Sequence, residues 1–232
     1  MNPVSQIDVV LPVFNPDSHL VQDLLQRKQK LAMETGKQVQ LIVVNDGSKD
    51  SNPFEEIQRL DPTVEVVHLS KNQGKGAALR SGIGRSTADF TLFTDVDFPY
   101  TIESMASIIR RLEAGANIAL GHREQDYYAS VPWFRRGMSE LFRFLLREVL
   151  RFPVTDTQCG LKGMDTKGRE VFMSTRINEF MIDMDFIKRA VRRKDLNIQP
   201  VVVNLRPDVT FSKMGLKVIL REFMNFLHVL FT

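Results

Sequence analysis

The feature that most constrains the fold is an alternation along the first half of the chain. Short runs rich in β-branched residues are separated by longer stretches whose apolar residues recur at helical spacing. A parallel sheet requires this order, because parallel strands are joined only by crossovers long enough to hold a helix. Strands are expected over residues 7–13, 38–44, 64–69, 90–94 and 118–120, and helices over 18–35, 53–60, 74–85 and 101–113. Ser18 and Thr101 suit helix N-caps, and Pro53 suits a first helical turn, where its missing N–H costs nothing.

Past residue 120 the pattern loosens. A helix rich in Phe, Leu and Arg is expected over 132–151, then a short segment over 158–164, a helix near 183–193 and a strand over 198–205. An amphipathic run, 216–232, closes the chain. No repeat, linker or composition break divides it. The expected architecture is α/β and Rossmann-like, a mostly parallel central sheet flanked by helices. It forms one domain over 1–215, with 216–232 as a C-terminal helix of the same unit or a membrane-associated one.

Composition sets the remaining bounds. With 43% hydrophobic and 25% charged residues, the 232-residue chain can bury an ordinary core and is not of the disordered class. A net charge of +3 and a pI near 9.0 suit phosphorylated substrates, anionic lipid or nucleic acid alike. No nucleic-acid motif accompanies the basic residues, so nucleic acid is not an expected partner. Cys159 is the sole cysteine, which excludes an intrachain disulfide and fits a reducing compartment. The start of the sequence lacks the basic region and cleavage site of a secretion signal. No apolar run reaches the roughly 18 residues of a membrane span. The expected location is therefore the cytoplasm, with peripheral attachment to the cytoplasmic face of a membrane as a further expectation.

A parallel sheet gathers its ligand at the carboxyl ends of its strands, so the segments that follow the strands carry the chemistry. Val43-Val44-Asn45-Asp46-Gly47-Ser48 reads either as a strand followed by an Asx-type turn or as a place where Asp46 accepts from a nucleobase or ribose. Phe93-Thr94-Asp95-Val96-Asp97 sets two carboxylates one residue apart; on an extended chain both would point to one side and repel each other without a cation. A hard ion, Mg²⁺ or Mn²⁺, shared with a diphosphate would neutralise them. A solvated loop with incidental acids is the plainer alternative. Gly74-Lys75-Gly76 reads as a glycine-assisted helix start or as a phosphate contact, without the spacing of a nucleotide-hydrolysing P-loop.

Taken in order, Leu11-Pro12-Val13-Phe14-Asn15, the Asp46 segment, Lys71-Asn72-Gln73-Gly74-Lys75-Gly76-Ala77-Ala78 and the Asp95/Asp97 pair resemble glycosyltransferase family 2, the inverting enzymes of GT-A fold, over nearly the whole chain. Asp156-Thr157-Gln158-Cys159-Gly160-Leu161-Lys162 is similar to a segment of the polyprenyl- and dolichyl-phosphate glucosyl- and mannosyltransferases. The resemblance implies that Pro12, Phe14, Asn15 and Asp46 hold the nucleoside, that Lys75 approaches the nucleotide or sugar, and that Asp156 and Gln158 belong to the substrate site. It implies that Asp95 contacts ribose or sugar and shares the metal with Asp97. Asp183 would face the acceptor, and Arg206 with Lys213 would meet phosphates. Pro16 stands where the family commonly has an acid, and Pro99 where some of its synthases have a glutamine.

The implied reaction is inverting transfer of a hexose from a UDP- or GDP-sugar, with Mg²⁺ or Mn²⁺, to a polyprenyl phosphate. The alternatives are a saccharide or protein hydroxyl as acceptor, and a catalytically idle nucleotide-sugar-binding module. Asp183 would act as general base only for a hydroxyl acceptor, since a phosphate monoester, with a second pKa of about 6, is already largely ionised. Its near neighbour Asp185 reads with it as a helix-capping acid. An anionic membrane surface is the remaining expected partner, through the Phe/Leu and Arg/Lys faces of 132–151 and 216–232.

Overall fold

The computed structural model describes residues 6–17, 19–123 and 156–207. The expected cap Ser18, the helix over 132–151, Lys213, the boundary at 215 and the run 216–232 lie outside the described residues.

The described elements are β1 (Gln6–Val13), α1 (Leu20–Thr35), β2 (Gln38–Asn45), α2 (Asn52–Leu60), β3 (Glu65–His68), α3 (Lys75–Ile83), β4 (Phe90–Phe93), α4 (Ile102–Glu113), β5 (Ile118–His122), β6 (Lys162–Met164), α5 (Thr166–Met173), α6 (Ile182–Val191) and β7 (Ile198–Val202). They build a seven-stranded sheet in the order β3-β2-β1-β4-β6-β5-β7. Apolar residues of opposite parity along each strand serve opposite faces. Val9 and Leu11 of β1 and Leu41 and Val43 of β2 pack with α1, α2 and α4. Val10, Ile42 and Val44 pack on the other face with α3, α5 and α6.

Thr101 caps α4 as expected, accepting from the Ser104 N–H at 3.2 Å. Pro53 lies in the first turn of α2. The helix α5 was not foreseen; Asp165 caps it, accepting from the Gly168 N–H at 2.9 Å.

Two features of the topology position the site. The strand order reverses beside β1, so β1 and β4 are parallel neighbours whose carboxyl ends open a crevice. The strand β6 is antiparallel to both β4 and β5, pairing Lys162 with Phe93 and with Leu120. Because it runs the opposite way, its first residue lies at the edge where the parallel strands end, and the 156–162 segment is delivered to that crevice.

Candidate active site

The loops after β1, β2 and β3 are laced together. The Asn15 N–H donates to Ser48 Oγ at 2.9 Å, and the Lys49 N–H donates to Asn15 Oδ1 at 3.1 Å. Asn15 adopts a left-handed φ of 47°, a conformation asparagine tolerates better than most residues. Phe14 beside it is 49% exposed, an aromatic face open at the crevice, while Pro12 stays within β1 opposite Val44. Asp46 is buried, and its two oxygens accept from the Gln73 N–H at 2.7 Å and the Gly74 N–H at 3.0 Å. Its first role is thus to tie the β2 loop to the β3–α3 loop; each oxygen keeps a second lone pair for a ligand.

Gly74 and Gly76 are required by a close approach of backbone. Gly74 has φ 95°, and a Cβ there would meet the Asn178 carbonyl oxygen at 2.4 Å; at Gly76 it would meet that of Ile177 at 2.3 Å. The Gly76 N–H donates to Asn178 O at 2.7 Å. The amides of 73, 74 and 76 therefore already have protein acceptors, and the phosphate cradle considered for this helix start gives way to a docking contact with the 177–178 backbone. Lys75, between the glycines, reaches into the crevice, with Nζ 2.8 Å from Asp95 Oδ1 and 3.7 Å from Asp183 Oδ2. Burial works to lower its pKa, but Asp95 and Asp183 more than offset this and hold the ammonium above its ordinary value.

The acid pair is brought together by a turn rather than by strand alternation, which corrects the extended-chain expectation. The strand β4 stops at Phe93, the Phe98 N–H donates to Asp95 O at 3.0 Å, and Phe98 takes a φ of 43° with its ring buried. Burial pulls the Asp95 carboxyl upward, but Lys75, Lys162 and Arg123 together hold it below its ordinary range. Asp97 is exposed yet shifted the other way, raised by desolvation and then by the charge of Asp95. Arg206 Nη2 donates to the Asp97 carbonyl at 3.0 Å and its N–H to Pro99 O at 2.9 Å, which docks the segment after β7 on this turn.

The 156–162 segment completes the crevice. Asp156 is gripped in bidentate fashion by Arg123, Nε to Oδ2 at 2.7 Å and Nη2 to Oδ1 at 2.8 Å, so its carboxyl lies low although burial opposes this. Gln158 is exposed, with Nε2 3.7 Å from Met181 Sδ. Tyr100 Oη accepts from the Gly160 N–H at 2.8 Å and from Cys159 Sγ at 3.3 Å. Lys162, fully buried, donates to Asp183 Oδ1 at 2.6 Å. Asp183 is itself buried in the first turn of α6, whereas Asp185 accepts from the Arg176 N–H at 2.7 Å and Arg189 Nε at 2.6 Å and holds the approach to that helix.

Lys75, Asp95, Asp97, Asp183 and Arg206 thus converge on one crevice with the 156–162 segment, while Asp46 lies one loop away. Arg123 and Tyr100 are residues that sequence reasoning missed, and it singled out Gly160 and Lys162 only as part of the 156–162 segment, without a role for either. A lysine within the apolar stretch Leu161-Lys162-Gly163-Met164 was the available signal, since a buried lysine needs a charged partner.

The site's fit to a divalent ion follows from its donors. Asp97 carries a carboxyl whose charge is disfavoured by Asp95, and an oxygen-seeking cation would relieve that repulsion. Among the described residues no group of three or more His, Cys, Asp and Glu could hold an ion.

A mostly parallel sheet with a reversal in strand order, a crevice at its carboxyl edge and an acid pair beside a lysine define an α/β domain of GT-A type. The chain belongs to glycosyl transferase family 2, whose family model matches residues 8–171. It is 30% identical over 207 residues to the human (Homo sapiens) dolichyl-phosphate beta-glucosyltransferase, an alignment covering 80% of this chain and 63% of that one. It is 29% identical over 159 residues to an undecaprenyl-phosphate 4-deoxy-4-formamido-L-arabinose transferase of Edwardsiella ictaluri, covering 67% and 48%. The chain thus spans less than two thirds of the length of these relatives. Among solved structures, glucosyl-3-phosphoglycerate synthase from Mycobacterium tuberculosis with UDP aligns at a TM-score of 0.71 and 19% identity, over 97% of this chain and 79% of that one. Mannosyl-3-phosphoglycerate synthase from Rubrobacter xylanophilus aligns at 0.72 and 16% identity, over 97% and 73%. These two likenesses establish the fold.

Proposed function

We propose that the protein transfers a hexose, with inversion, from a UDP- or GDP-sugar to a polyprenyl-phosphate-type lipid, releasing the nucleoside diphosphate. The observation that carries the acceptor assignment is the state of Asp183: buried, with one oxygen taken by Lys162 and the other facing Lys75. Asp183 is 2% exposed and both its oxygens face lysines, so neither is open to an acceptor hydroxyl, and a phosphate monoester does not need a base. The names of the two relatives, both polyprenyl-type phosphate transferases, support the same acceptor class.

Phe14, Asn15 and Asp46 border the place for the nucleoside, with the Phe14 ring as its stacking surface. Asp95 and Asp97 would hold Mg²⁺ or Mn²⁺, which when bound neutralises charge on the diphosphate; the Mycobacterium tuberculosis synthase has been crystallised with Mn²⁺ and UDP-glucose. Lys75 and Arg206 add positive charge where the leaving group develops its own. An oxygen of the acceptor phosphate attacks the anomeric carbon, the bond from that carbon to the diphosphate breaks, and its electron pair leaves on the diphosphate oxygen. No proton has to move.

No helix among the described residues is long and apolar enough to cross a membrane. Delivery of a lipid acceptor at the cytoplasmic face through peripheral contact is part of the proposal. The experiment is a transfer screen of UDP- and GDP-hexoses with Mn²⁺ against polyprenyl phosphate, the product identified by mass. A polyprenyl phosphohexose supports the reading, whereas a glycoside formed only on hydroxyl acceptors replaces it.

A further inference from the structure

The charged side chains behind the crevice form a closed circuit. Lys75 Nζ is 2.8 Å from Asp95 Oδ1 and 3.7 Å from Asp183 Oδ2, and Asp183 Oδ1 accepts from Lys162 Nζ at 2.6 Å. Lys162 also donates to the carbonyls of Thr157 and Cys159. The next residue, Gly160, returns to Asp95, because a Cβ there would meet Asp95 Oδ2 at 2.3 Å. Acid and lysine alternate around the circuit, and the chain of residues 157–160 closes it.

Lys162 differs from Lys75 in one decisive respect: its side chain is 0% exposed, against 10% for Lys75, so it has no surface with which to touch a substrate. An ammonium has three donors, and Lys162 has three acceptors, Asp183 Oδ1, Thr157 O and Cys159 O. We propose that Lys162 is a positioning residue that fixes where the Lys75 ammonium stands. By engaging one oxygen of Asp183 it turns the other toward Lys75. By holding the Thr157 and Cys159 carbonyls it fixes the loop whose Gly160 backs Asp95. Both carboxylates that flank Lys75 are therefore located through Lys162. The consequence for transfer rests on the reading above, in which Lys75 meets the donor diphosphate.

The test compares Lys162→Met, Lys75→Met and the double variant, with folding checked by circular dichroism. Lys162→Met should lower kcat/KM for the donor by about 10²-fold, the size of loss expected from misplacing a binding group by about 1 Å. The acceptor KM should stay unchanged. The double variant should be no slower than Lys75→Met alone, because both changes remove the same placed charge. Wild-type kcat/KM in a folded Lys162→Met, or losses that multiply in the double variant, would overturn the proposal.

If the single variant fails to fold, Lys162→Met with Asp183→Leu removes both buried charges and should fold while keeping the donor defect; normal donor kinetics there overturns the proposal. Absence of transfer by the wild type on every donor would sink the transferase reading rather than this one. Crystal structures of wild type and Lys162→Met then decide: Lys75 Nζ displaced from Asp95 supports the positioning role, and an unmoved Lys75 refutes it.

Discussion

The backbone of Gly160 lies directly against the Asp95 carboxylate, so close that a Cβ on Gly160 would meet Asp95 Oδ2 at 2.3 Å. The neighbour that must yield is a carboxylate already held by Lys75. Gly160→Ala should therefore cost little stability but move Asp95 off its position. Donor kcat/KM is expected to fall about 10- to 100-fold, with a change in unfolding free energy of about 1 kcal/mol. Steady-state kinetics beside a thermal melt reads both, and unchanged donor kinetics would remove Asp95 from the donor site.

Two glycines with nearly the same φ differ in what surrounds them. Gly74 has φ 95° with the Asn178 oxygen 2.4 Å from its missing Cβ, whereas Gly115 has φ 93° with nothing within 4 Å. Gly115→Ala should cost only left-handed strain, about 1–2 kcal/mol. Gly74→Ala adds a collision with backbone to a conformation, ψ 159°, that is essentially restricted to glycine, and should cost at least about 1 kcal/mol more. Urea unfolding midpoints decide; equal losses would mean that neither the backbone conformation nor the 177–178 contact constrains the α3 start.

Asp97 calls for the opposite dissociation, activity without stability. Its carboxyl is exposed and its charge disfavoured, so Asp97→Asn should leave the melting temperature unchanged or slightly raised. Mn²⁺-dependent binding of UDP or GDP, followed by calorimetry, should be lost. Full binding by the variant, or wild-type transfer in excess chelator, would remove the metal from the account.

The Arg123–Asp156 pair predicts an acid limb in stability. The Asp156 carboxyl is held below its ordinary 3.8, so the folded chain binds its proton less readily than the unfolded one. The stabilisation is complete above that ordinary value and is lost as pH falls through it toward the lower native one. Asp156→Asn should lower stability by about 1–3 kcal/mol near neutrality, since it removes a charged, bidentate hydrogen-bond acceptor from a part-buried pair. Its melting temperature should also fall less steeply than the wild type's below about pH 4. Parallel acid slopes would contradict the assignment.

The sheet and its flanking helices were legible because apolar spacing is a local property: β1, β2, β5 and α1 to α4 start and stop within a few residues of the positions that periodicity suggests. The direction of β6 was not. Three residues, Lys162–Met164, carry no periodicity, and a strand's polarity is set by partners distant in sequence. The acids after β2 and β4 were legible as strand-end residues, but their partners were not. Asp46 binds amides 27 and 28 positions away, and Lys162 meets Asp183 across 21. The turn that joins Asp95 to Asp97 depends on Phe98 accepting a left-handed backbone to bury its ring, a tertiary requirement with no local signature.

The central claim is that the acceptor brings its own negative charge to a site whose candidate base is locked between two lysines. The most direct measurement is the initial transfer rate, with Mn²⁺ and the best donor, to a polyprenyl phosphate and to the same polyprenol without its phosphate. The account predicts product on the phosphate and a rate at least about 10²-fold lower on the alcohol, the smallest contribution expected of a missing base. Equal or faster transfer to the alcohol would contradict it, and would return Asp183 to the role of a base.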